Sequence, residues 1–270
     1  MTQTVSNLPW IRFLGIGVQA LTLPGLMGLL AERVSLHEQC IIANHNLHSL
    51  YLFHHEPRLA RFYEASRYVH IDGMPLVALA RLYGHSIPRD ARVTYVDWTG
   101  PLMHAVASNG WRLFYLGSRP GVAETGAEIL RAKYSGIQIR THHGYFDSSP
   151  ASAENADLLR QIREFDPHIL MVGMGMPRQE TWILENLTQL PPAVILPSGA
   201  AIDYVAGAVP TPPRWAGRIG LEWAFRLFAE PKRLWRRYLL EPWSILGMVL
   251  RSMSRRGLSP ASTASGKSEK

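Results

Sequence analysis

The chain has 270 residues, 47% of them apolar and 18% charged, with one cysteine and a formal net charge of +7. That length and apolar content admit one large domain with a substantial core, or two small ones, and exclude a disordered chain. One cysteine excludes an internal disulfide framework, and no stretch of roughly 18 to 20 uncharged apolar residues is present to span a bilayer as a helix.

In chain order, short β-rich apolar runs alternate with amphipathic stretches. Strands are expected over residues 11–18, 40–44, 68–71, 113–116, 137–141, 169–172 and 194–196, and helices over 23–34, 75–82, 122–133, 153–165 and 178–190. This alternation predicts an α/β fold over residues 1–208, a doubly wound, mostly parallel sheet flanked by helices. The N-terminal segment lacks the basic, then apolar, then small-residue order of a signal peptide, so the expected location is cytoplasmic. Cys40 sits in the apolar run Cys40-Ile41-Ile42-Ala43 and reads as a core thiol rather than a nucleophile.

After Gly207 the texture changes. Val209-Pro210-Thr211-Pro212-Pro213 sets an extended connector, and residues 214–254 read as two or three helical pieces broken at Pro231 and Pro242. The Ser/Ala/Gly/Lys tail over 257–270 reads as disordered. Residues 214–256 hold ten Arg or Lys against three Glu, whereas residues 1–213 hold sixteen basic and seventeen acidic side chains. Trp215, Trp223, Phe225, Phe228, Trp235, Tyr238 and Trp243 interleave with those cations. A basic helical C-terminal appendage over 209–256, on a nearly neutral body, points to an anionic partner: a lipid surface, a nucleic acid or the phosphates of a substrate.

In a doubly wound sheet, ligands bind beyond the carboxyl ends of the strands. The residues there are Asn44-His45-Asn46, Asp72-Gly73, Gly117-Ser118-Arg119-Pro120-Gly121, His142-His143-Gly144-Tyr145, Gly173-Met174-Gly175-Met176-Pro177 and Ser198-Gly199. The turns at Gly117 and at Gly173 and Gly175 each lead from a strand into a helix, where free amides and the helix dipole favour phosphate. Each reads equally as a tight structural turn, because neither completes a dinucleotide fingerprint or a P-loop. Asp72 is either the N-cap of the next helix or a general base facing the cleft. Asn44 and Asn46 suit turn geometry as well as a pocket. His142 and His143 are neighbours on a strand and point to opposite faces, so no metal site is expected. No Asp-x-Asp triplet is present to hold a divalent ion on a nucleotide diphosphate, so a departing diphosphate would be met by Arg, Lys or helix termini. Arg226, Arg233 and Arg236 would share one helical face if the helix continued through Pro231.

These residues also carry a likeness. Asp72-Gly-Met-Pro75, Gly144-Tyr-Phe146, Val172-Gly-Met-Gly-Met-Pro-Arg-Gln-Glu180 followed by Trp182, Gly220-Leu-Glu-Trp223, Arg226-Leu and Glu230-Pro-Lys-Arg233 resemble the WecG/TagA/CpsF glycosyltransferases, glycosyltransferase family 26. The resemblance runs from about Ile11 to Tyr238. It implies inverting transfer, with no metal and no cofactor, of a hexose-type sugar from a UDP-sugar to a polyprenyl-diphosphate-linked sugar, in surface polysaccharide or cell-wall polymer synthesis. It implies Asp72 as the general base, Arg226, Arg233 and Arg236 as catalytic arginines of an appendage that closes over the site, and Asn44 and Gln179 as pocket residues. Gly117, Gly144, Tyr145, Gly173, Gly175, Gly199 and Asp203 complete the expected substrate-binding set. The partners implied are the UDP-sugar donor, the lipid-linked acceptor and an anionic membrane surface on the cytoplasmic side, with no nucleic acid; homo-oligomerisation is left open. Ile42 stands where teichoic-acid members carry Thr, and Thr211-Pro212-Pro213 where many read Arg-Ala-Pro. Two other classes use the same features: a nicotinamide-dependent oxidoreductase, for which the three-glycine fingerprint is missing, and a nucleic-acid-binding module using the basic arm.

Overall fold

A computed structural model describes residues 8–211, 216 and 222–257, with the backbone alone at Glu222, Arg233 and Arg256. Arg214, Trp215, Arg218, the connector beyond Thr211 and the tail from 258 onward lie outside the described residues.

The expected first strand is a hairpin instead. β1 (Ile11–Phe13) and β2 (Ile16–Val18) pair antiparallel as a separate two-stranded sheet. Leu14 and Gly15 between them both take positive φ, which is the backbone a two-residue hairpin turn requires. The remaining strands are β3 (Cys40–His45), β4 (Tyr68–Ile71), β5 (Arg112–Gly117), β6 (Gln138–His142), β7 (Ile169–Gly173) and β8 (Val194–Pro197). They form one sheet in the order β4-β3-β8-β7-β5-β6, every pairing parallel.

Residues on β3, β7 and β8 are buried along their whole length, as expected of a parallel sheet covered on both faces. Alternate residues divide between two cores. Ile42, Tyr68, Leu113, Tyr115, Met171 and Leu196 pack against α1 (Leu23–Ser35), α5 (Tyr95–Ser108), α6 (Val122–Lys133) and α9 (Ala201–Val205). Ile41, Ala43, Phe114, Leu116, Leu170 and Ile195 pack on the other side with α2 (Leu47–His55), α3 (Pro57–Ala65), α4 (Met74–Leu82), α7 (Ala153–Phe165) and α8 (Arg178–Asn186). The helix expected over 178–190 ends at Asn186 and tightens into a 3-10 turn, Leu187–Gln189. Helices α2, α3, α5 and α9 were not among those expected. α5 contains Gly100-Pro101, a sequence that reads as a break, yet a reciprocal cap between Thr94 and Asp97 starts it and buried Trp98 and Leu102 hold it down.

Among the described residues after the connector are the helices α10 (Glu222–Ala229), α11 (Pro231–Leu239) and α12 (Glu241–Gly257). Pro231 opens α11 and Pro242 lies in the first turn of α12, where a missing N–H costs nothing. α12 is seated on the body: Ile245 and Val249 belong to the core that α2 helps build. Among the described residues, no helix is long and apolar enough to cross a membrane.

Candidate active site

The carboxyl ends of the strands converge on one cavity of about 720 Å³. Its floor is made by backbone close approach. Gly117 and Gly173 are register partners at the ends of β5 and β7. A Cβ on Gly117 would collide with the Gly173 carbonyl, and one on Gly173 with the Tyr115 hydroxyl and the Gly199 carbonyl. Gly144 fits over them, its Cβ position 3.0 Å from Met174 Cγ and 3.2 Å from Gly117 Cα. Packing therefore leaves no room for a side chain at these positions.

Four of the amides around these turns are engaged inside the protein. Gly175 N–H and Gly199 N–H both donate to Gln179 Oε1, at 3.1 and 3.2 Å. Ser118 N–H donates to Gly173 O at 3.2 Å, and Gly144 N–H to Ser118 O at 2.8 Å. Gln179 is a clamp between the loops after β7 and β8. Its Nε2 donates to Glu180 Oε1 at 2.7 Å. Glu180 is 1% exposed, and burial pushes its carboxyl up to about 7 against the opposing pull of that hydrogen bond. Asp203 on the same wall accepts a 2.8 Å hydrogen bond from Ser118 Oγ.

Asp72 is not a helix cap. Gly73, with φ of 130°, is the N-cap of α4, and the Asp72 carboxylate lines the cavity with Asn46 Nδ2 3.3 Å from its Oδ2. Burial raises the Asp72 pKa; the Asn46 donor and the charges of Arg226, Arg237 and Arg92 oppose that rise. Asn44, 4% exposed, lines the same cavity and donates to Pro197 O at 3.1 Å, which ties β3 to the end of β8.

The C-terminal helices supply the opposite wall, through Arg226, Glu230, Leu234, Arg236, Arg237 and Glu241. The shared helical face expected for Arg226, Arg233 and Arg236 does not exist, because α10 ends at Ala229 and α11 restarts the helical phase at Pro231. Arg226 and Arg236 meet because both helices fold over one cavity; the side chain of Arg233 lies outside the described residues. The Nε atoms of Arg226 and Arg237 are enclosed and have no hydrogen-bond partner among the described residues. The Arg226 guanidinium lies 5.9 Å from the centre of the Tyr204 ring. His48 on α2 contacts Glu241 of α12 through Nδ1 and Oε2 at 2.6 Å. Burial lowers the His48 pKa more than Glu241 raises it, so a neutral imidazole donates to the carboxylate.

The sequence matches the profile of the glycosyl transferase WecG/TagA/CpsF family over residues 11–258. The chain belongs to this family. Proteins of Staphylococcus aureus strains NCTC 8325, COL and MRSA252 named N-acetylglucosaminyldiphosphoundecaprenol N-acetyl-beta-D-mannosaminyltransferase are 28% identical to it over 182 residues, which is 67% of this chain and 68% of theirs. Membership makes this chain a glycosyltransferase and sets aside the oxidoreductase and nucleic-acid alternatives.

Of the residues the sequence singled out, Asn44, Asp72, Gly144, Tyr145, Gly173, Gly175, Gln179, Gly199, Asp203, Arg226 and Arg236 line the cavity; Gly117 lies beneath it as packing. Cys40 is buried in the core, its thiol pushed up to about 11 by burial, so it is unreactive. His142 and His143 do not point to opposite faces as expected, because β6 ends at His142: their rings lie 4.7 Å apart, with His142 edge-on to Phe146. Among the described residues, no three His, Cys, Asp or Glu gather as metal ligands. Arg237, Tyr95, Arg178 and the His48–Glu241 pair were not foreseen. Arg237 becomes visible once the phase is counted from Pro231 instead of from Arg226.

Proposed function

We propose that this glycosyltransferase moves a hexose-type sugar from a UDP-sugar to a polyprenyl-diphosphate-linked acceptor, with inversion and Asp72 as the base. The observation that carries this reading is the pairing across the cavity: a carboxylate on the body wall, and half-buried arginines with enclosed Nε atoms on the wall made by the C-terminal helices. The volume suits a nucleotide sugar. In the reaction, the acceptor hydroxyl oxygen forms a bond to the anomeric carbon as the bond to the diphosphate breaks. Asp72 takes the hydroxyl proton, and UDP leaves with the bonding pair. A single in-line displacement of this kind inverts the anomeric centre. The leaving diphosphate is met by Arg226, Arg236 and Arg237, whose planar forks match phosphate oxygens. Residues 1–208 form the catalytic body, and 209–256 the lid and membrane contact.

The acceptor class is supported by the printed names of the Staphylococcus aureus relatives. The site of action, the inner face of the plasma membrane, is supported by exposed Phe228, Trp243, Leu246 and Leu250 beside the cationic stretch. The test is transfer from a panel of UDP-sugars to a short-chain polyprenyl-diphosphate N-acetylglucosamine. One donor is expected to give product of inverted configuration, and Asp72→Asn to cut its turnover by about 10²–10⁴-fold. Near wild-type turnover by a folded Asp72→Asn enzyme overturns the base assignment, and no product with any UDP-sugar overturns the donor class.

A further inference from the structure

We propose that Asn46 is a positioning residue for the reaction, aiming the Asp72 carboxylate into the cavity through its side-chain amide. The inference rests on the reading of Asp72 as base. Strand register brings the two residues together: His45 pairs with Ile71, Asp72 N–H donates to His45 O at 2.7 Å, and Asn46 and Asp72 are each the first residue beyond their strand.

The direction of the Asn46 amide is set by the helix it begins. Asn46 Oδ1 accepts from Ser49 N–H at 3.0 Å, and Asn46 N–H donates to Ser49 Oγ at 2.8 Å, a reciprocal cap that opens α2. With Oδ1 committed to the helix, Nδ2 must point the other way, and there it meets Asp72 Oδ2 at 3.3 Å. The cap is itself braced from the core. Ser49 is fully buried and bonded to His45 Nδ1 at 2.9 Å, and the His45 ring stacks on Tyr63 with centres 3.7 Å apart. Burial drops His45 to about 3, so this brace carries no charge at working pH. An exposed asparagine would turn freely; this one is held from behind.

A donor on the carboxylate favours its ionised form, which a proton acceptor needs, and opposes the rise that burial causes. The groups facing Asp72 from other elements are Arg92 from the segment before α5, Arg226 from α10, Arg237 from α11, Tyr95 from α5 and Tyr63 from α3. The arginines act in the same direction as Asn46, and Asn46 does so through a hydrogen bond to the carboxylate.

Asn46→Ser and Asn46→Asp test the assignment in the full chain. Both residues cap helices as well as Asn does, so stability is expected to stay near wild type. Ser removes the amide donor, and Asp replaces it with a second negative charge. The carboxyl-carbon NMR titration midpoint of Asp72, identified by its loss in Asp72→Asn, is expected to rise by about one pH unit in Asn46→Ser and further in Asn46→Asp. With the UDP-sugar that supports turnover, the acid limb of kcat/KM against pH should move by the same amount, with most activity regained at alkaline pH in Asn46→Ser. An unmoved midpoint, or a loss equal at every pH, overturns the role of Asn46. The base reading fails separately, by an active Asp72→Asn.

Discussion

The body and the C-terminal helices solve opposite problems with the same residue types. In the body, Trp98, Trp182, Phe62 and Phe114 are fully enclosed. In the helices after residue 221, Phe228 is 85% exposed and Trp243 71%, while Arg226 and Arg237 turn inward with enclosed Nε atoms. A helix that faces water on one side and protein on the other arranges these groups the other way round. The inversion is what the proposed function asks of this part of the chain: an anion on its inner side, and an apolar surface on its outer side.

The strongest way to break that comparison is to remove an inward arginine. Arg226→Ala and Arg237→Ala are each expected to lower kcat/KM by about 10²–10³-fold, the scale of losing one preorganised donor to a leaving oxyanion. Lysine at either position should recover only part, since a point charge replaces the two-pronged fork. Steady-state transfer at fixed ionic strength reads both. If Arg237→Ala turns over like wild type, the inward guanidinium is a packing group and the contrast loses its functional meaning.

Much of the body was legible because parallel strands buried on both faces leave continuous apolar runs, as at Ile41, Ile42 and Ala43 or Leu170, Met171 and Val172. The edge where the cavity opens followed from the same alternation, and so did the place of Asp72. What stayed hidden was decided by tertiary structure. Leu14-Gly15 turns the chain through backbone dihedrals that no apolar pattern announces. Asp72 looked equally like a cap until Gly73 took that position and Asn46 reached the carboxylate from the neighbouring strand. Gln179 was legible as a pocket residue, but its part as a clamp on Gly175 and Gly199 depends on two loops that lie 20 residues or more apart in the chain.

Within the body, Glu180 offers the next largest effect. It titrates at about 7 in the fold against an ordinary value of 4.5. Between those pH values the native state holds a proton that the unfolded chain releases, so stability falls as pH rises through that window. Glu180→Gln cannot ionise and keeps an acceptor for Gln179 Nε2. Denaturant unfolding is expected to show the variant close to wild type near pH 4.5 and more stable by about 3 kcal/mol at pH 8. Parallel pH slopes for the two proteins would mean that a fixed positive charge, such as that of Arg237, already neutralises Glu180 in the fold.

The smallest effects sharpen the contrast most, because they lie on one helix. Along α12, Ile245 and Val249 are 3% and 5% exposed and one turn apart, while Trp243, Leu246, Leu250 and Met253 face outward at helical spacing. Ile245→Val removes one buried methylene and should cost about 1 kcal/mol of global stability. Trp243→Ala should change stability by less than about 0.5 kcal/mol, since little is buried there to lose. The order reverses on vesicles containing anionic phospholipid: Trp243→Ala is expected to weaken binding severalfold, and Ile245→Val to leave it unchanged. If both variants bind vesicles like wild type, the outward apolar face does not touch lipid, and the inversion serves only the inward arginines. If Trp243→Ala alone loses affinity, one helix carries both functions, its inner face closing the core and its outer face meeting the membrane.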